Sequence, residues 1–76
     1  MPKGTVHERT DTAYFTVHSA PDAAGRQRFT VEWWMAAHAL DGASWRRQDF
    51  HASLDDWKSV YRMDGRRVEI IEAVGS

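Results

Sequence analysis

Apolar and polar positions alternate over two short segments in the first half of the chain. From Thr12 to His18, Ala13, Phe15 and Val17 fall on one side and Tyr14, Thr16 and His18 on the other. That period of two predicts a half-buried strand. Residues 19–25 gather Pro21, Asp22 and Gly25, which predicts a hairpin loop. Arg28 to Met35 alternates again, setting Phe29, Val31, Trp33 and Met35 against Thr30, Glu32 and Trp34, as a central strand would. Residues 36–40 fit strand or helix. Val31, Trp34, Met35 and His38 also keep helical spacing, and Asp41-Gly42 suits a helix end as well as a hairpin turn. The β-rich run before it favours the hairpin. A two-residue turn there pairs Leu40 with Ala43, His38 with Trp45 and Trp33 with Phe50. It also sets Met35 against Gln48, a mismatch that a bulge at Ala36-Ala37 would relieve.

A third strand is expected from Ala43 to about His51, and after it the pattern changes period. Leu54, Trp57, Val60 and Tyr61 form one helical stripe. Ser53 is a good N-cap, Asp55 and Asp56 favour the positive end of the helix dipole, Arg62 sits near the other end, and Asp64-Gly65 stops the helix. A last strand, Arg66 to Val74, puts Val68, Ile70, Glu72 and Val74 on one face. The order β-β-β-α-β, with a single helix, predicts a small two-layer α+β domain: one antiparallel or mixed sheet with the helix packed on one face. Residues 1–11 are polar and aperiodic and are expected to form a flexible N-terminal arm before a single domain spanning 12–76. The expected core is Phe15, Val17, Phe29, Val31, Trp33, Phe50, Leu54, Trp57, Val60, Tyr61, Val68 and Ile70.

Composition sharpens this picture. A chain of 76 residues has room for one domain with a barely sufficient core. Leu, Ile, Val and Phe number only thirteen, a level at which disorder becomes an issue, but four Trp, two Tyr and three Met add apolar area. A formal charge of −1 removes the self-repulsion that disorder of this kind needs. Cysteine is absent, so disulfides, thiolate metal sites and a cysteine nucleophile are excluded. No apolar run approaches a membrane span, and the first residues resemble no signal region, so a soluble cytoplasmic protein is expected. Protonating His7, His18, His38 and His51 would carry the charge from −1 to +3, placing the solubility minimum just below neutrality.

Motifs for catalysis are missing. The five glycines are isolated, and neither a Gly-x-Ser-x-Gly elbow nor a His-x₃-His pair occurs. A two-layer domain of this size also offers little room for an enclosed pocket, so no enzyme, catalytic residue or cofactor is expected. The histidines lie too far apart in sequence to form a metal motif, and the facing of His18 and His38 across strands is better explained by solvent-facing positions.

Surface contact is left as the leading activity. Trp33 and Trp34 are adjacent, and neighbours on a strand point to opposite faces. If Trp33 joins the core, Trp34 lies on the other sheet face with Tyr14. Aromatic side chains beside arginine are what interface hot spots are made of. The expected function is therefore a small non-enzymatic binding protein, of the accessory or inhibitor type found in bacteria and phages. Its partner is another protein or a second copy in a homodimer, and its anchors are Trp34, Trp45, Arg46, Arg47 and Tyr14. The alternative is a single-stranded nucleic-acid module using the same face, with Arg26, Arg28, Arg66 and Arg67 tracking phosphates. Against it, basic and acidic residues balance, four and four over 1–38 and six and seven over 39–76. The run Val31-Glu32-Trp33-Trp34, then Ala43-Ser44-Trp45 and a terminal helix, loosely resembles a chromodomain over 12–63. That resemblance would make Tyr14 part of a methyl-lysine cage. The strand at 66–74 has no place in that pattern, and no family is assigned.

Overall fold

A computed structural model describes residues 9–36 and 42–73. Along the chain come β1 (Thr12–Val17), β2 (Gln27–Met35), β3 (Ser44–Ala52), α1 (Leu54–Met63) and β4 (Arg67–Glu72). The strands form one sheet in the order β3-β2-β1-β4. β1 and β3 both run antiparallel to β2, and β4 lies parallel to β1. This is the expected two-layer α+β domain, with a mixed sheet. A parallel partner cannot be reached through a tight turn; it needs a crossover, and α1 supplies it.

The alternation decides the layers. Ala13, Phe15, Val17, Phe29 and Val31 are at most 2% exposed and make the centre of the core. Phe29 stacks between Phe15 and Phe50, at ring distances of 5.6 and 5.2 Å. Tyr61 meets Phe15 edge-on at 5.5 Å and Trp33 at 5.6 Å, while Trp57 lies 4.5 Å from Phe50. Bulky rings thus replace the aliphatic residues that this composition lacks.

Helix α1 is bounded by its own side chains. The Ser53 hydroxyl accepts the Asp56 amide at 3.4 Å, and Asp55 and Asp56 occupy the first turn. At the other end Gly65 adopts φ 83°, its amide donates to Arg62 O, and the Arg66 amide donates to Tyr61 O. These two bonds are those of a Schellman motif, in which a left-handed glycine ends the helix. The 19–25 turn is built around Asp22, whose Oδ1 accepts the amides of Ala24 and Arg26 at 2.9 Å each.

Three expectations need correction. The β2–β3 register pairs Phe29 with Phe50, Trp33 with Arg46 and Met35 with Ser44, shifted by four positions from that of a two-residue turn. It stacks two rings and removes the Met35–Gln48 mismatch without a bulge, a gain that outweighs the local turn preference of Asp-Gly. Leu40 and His38, expected to pair in this hairpin, lie outside the described residues, as do Asp41 and Val74. Secondly, Val60 and Ile70 are 44% and 38% exposed instead of buried. Leu54, Trp57 and Tyr61 define the face of α1 that packs on the core, which rotates Val60 to its flank; Ile70 sits on the edge strand. Finally, Tyr14, Thr12 and Thr30 are buried on the face opposite the helix, where a half-buried strand would leave them exposed.

Candidate functional site

The face away from α1 is a grid set by strand alternation and register. No described helix or strand covers it. Its first row holds Arg67, Thr12, Trp34 and Trp45, and the next Glu69, Tyr14, Glu32 and Arg47. Ile71, Thr16, Thr30 and Asp49 follow, and then His18, Arg28 and His51. Six residues along a strand separate Trp45 from His51, about 20 Å. The described strand residues of this face carry three arginines and three carboxylates.

At one end, Trp34 and Trp45 are cross-strand partners whose rings meet edge-on at 5.6 Å. Tyr14 packs against Trp45 at 5.9 Å, and its hydroxyl accepts the Arg9 amide at 3.2 Å. The two tryptophans are half-buried, whereas Tyr14 is only 5% exposed. The structure places Trp34, Trp45, Tyr14 and Arg47 on one face. Tyr14, however, supports Trp45 from below and offers no free ring to stack a base or line a methyl-lysine cage. Arg46 is opposite Trp33 on the helix side, because neighbours on a strand alternate.

The four arginines proposed for phosphate tracking divide between the two ends of the sheet. Arg66 donates from Nη1 to Trp34 O at 2.9 Å and pairs through Nε with Asp64 at 3.1 Å, leaving its side chain 18% exposed. Arg26 reaches from the far end to His51 O at 3.4 Å. Of the four, only Arg28 and Arg67 occupy the uncovered face, in its last and first rows.

The centre of the face is a hydrogen-bonded chain that sequence reasoning missed. Thr30 Oγ1 donates to Asp49 Oδ1 at 2.7 Å and meets His18 Nε2 at 2.8 Å. An ionised carboxylate only accepts, so the single Thr30 proton points to Asp49 and His18 Nε2 must be the donor. The arrangement orients His18, and the Thr30 hydroxyl proton points to the Asp49 carboxylate. His51 Nε2 lies 3.4 Å from Asp22 Oδ2. Backbone bonds from Arg26 first of all, with smaller contributions from Ala24 and His51, hold the Asp22 carboxyl below its usual range. Around these groups lies an open groove of about 470 Å³ lined by His18, Arg28, Thr30, Arg47, Asp49 and His51.

The chain matches no known family model, no curated protein and no solved structure.

The parity of these groove residues is legible in sequence, since all fall on outward positions. Their adjacency is not: in the register of a two-residue turn, Thr30 would face Ser53 instead of Asp49. Among the described residues no three His, Cys, Asp or Glu side chains group as metal ligands, and no helix is long and apolar enough to cross a membrane.

Proposed function

We propose that this chain is a small non-enzymatic protein-binding module that engages its partner, another protein or a second copy, through the uncovered sheet face. The half-buried Trp34–Trp45 pair, with Arg47 one row away, carries the reading. Tryptophan and arginine at the centre of a partly desolvated patch supply most of the energy of many interfaces. The equal count of arginines and carboxylates on this face favours a protein over a polyanion, because a nucleic-acid groove gains affinity from unopposed positive charge.

Sedimentation equilibrium over a concentration series, alone and with a short fluorescent single-stranded oligonucleotide, tests the reading. The expected result is no oligonucleotide binding at moderate salt, with any self-association weakened by Trp45→Ala. Oligonucleotide uptake that falls steeply with salt would overturn it in favour of single-strand binding.

A further inference from the structure

The far end of the same face, away from the tryptophans, carries a group of basic side chains that the aromatic anchors do not use. Arg28 stands between His18 and His51 in the last row of the grid and lines the groove of about 470 Å³. Among the described residues, no hydrogen bond or ion pair engages its guanidinium. Its five N–H donors therefore face the groove unspent, in a fork suited to two oxygens of one oxyanion. His18 is held in orientation by its donation to Thr30, and Arg47, two rows away, also lines the groove.

The acids nearby are already partly answered. Asp49 accepts the Thr30 hydroxyl and lies 3.9 Å from Arg47, and Asp22 accepts two backbone amides and faces His51. Glu32 lines a smaller adjoining depression of about 160 Å³, one row further than Asp49. These carboxylates determine the kind of anion. A diester chain laid along the strands from Arg28 would continue over Asp49 and Glu32, which stand about 7 and 13 Å from the Arg28 row. A single terminal oxyanion avoids both.

We infer that the groove between His18, Arg28 and His51 is a binding site for a single phosphoryl dianion, presented as a phosphorylated side chain by the protein partner. The identity of the carrier rests on the proposed protein-binding function; the oxyanion site rests on Arg28 and its neighbours alone. A partner seated on both features would span the face, with an apolar side chain at Trp34–Trp45 and a phosphorylated one about 20 Å away.

The test is an NMR titration of the full chain at neutral pH with sodium sulfate, a fixed dianion, followed by phosphoserine and a mononucleotide. The expected result is saturable shifts confined to Arg28, His18, His51 and their neighbours. Arg28→Ala abolishes them, while Trp45→Ala leaves them in place. A control spectrum of Arg28→Ala shows whether the fold is intact, and Arg28→Lys, which keeps charge without the fork, retains only part of the affinity. Linear shifts at every basic residue, or unchanged binding in folded Arg28→Ala, would overturn the site. Equal or tighter binding of the mononucleotide would overturn the phosphorylated-protein source. Loss of partner binding in Trp45→Ala with sulfate binding retained separates the oxyanion site from the aromatic anchor.

Discussion

At the scale of single residues, burial ranks the consequences of substitution more sharply than residue type. Phe29 is 1% exposed and sandwiched by two rings, so Phe29→Ala removes contacts on both faces and leaves a cavity. A loss of about 3–5 kcal/mol is expected, against less than about 0.5 kcal/mol for Val60→Ala, checked by urea unfolding. Thr30 is 4% exposed, and its hydroxyl serves two partners. Thr30→Val keeps the shape but removes hydrogen bonds to two exposed partners, and a loss of about 0.5–1.5 kcal/mol is expected in the same assay. The Asp22 carboxyl is lowered relative to the unfolded chain, so the stability it lends is complete above the ordinary carboxylate range and fades as pH falls through its folded value. Protection of the Ala24 and Arg26 amides relative to intrinsic exchange should fall once pH drops below the ordinary carboxylate range, and Asp22→Ala should show that lower protection at neutral pH.

Among the elements, α1 is the one whose limits could be read residue by residue, because its caps are local. Ser53, the acidic first turn and Gly65 all take their expected places. A Cβ at Gly65 would meet nothing within 4 Å, so Gly65→Ala costs only the left-handed backbone, about 1–2 kcal/mol by thermal unfolding. Ser53→Ala is expected to cost about 1 kcal/mol. The strands were legible to within a residue or two, again because alternation is local. Their pairing was not. Asp41-Gly42 carries a strong short-range turn signal, but the ring stack of Phe29 on Phe50 and of Phe50 on Trp57 is a contact between three elements. No local rule contains it, and it moves the β3 register by four positions.

For the molecule as a whole, the core is small. Among the described residues six apolar side chains are buried, and none of them belongs to α1. A domain of this size sits near the low end of the usual 5–15 kcal/mol, so Phe29→Ala should leave a substantial unfolded population at 37 °C by circular dichroism. Burial raises the Tyr61 hydroxyl above the ordinary tyrosine range. The folded state therefore holds that proton more tightly than the unfolded chain, and stability falls as pH rises beyond about 10. Tyr61→Phe should flatten that alkaline limb of the unfolding profile.

Periods of two and 3.6, caps and turn residues determined the number, type and order of the elements, and which side of each strand a residue faces. Each of these depends on atoms a few residues apart, which is why the sequence sufficed. Tertiary structure alone decided that β4 lies parallel to β1, that Arg46 pairs with Trp33, and that Trp34 meets Trp45 over a buried Tyr14. It also decided that His18, Thr30 and Asp49 form one chain of hydrogen bonds. These contacts join residues far apart along the chain. They are set by whichever pairing buries and stacks the most rings at once, a competition settled only when all four strands and the helix are in place.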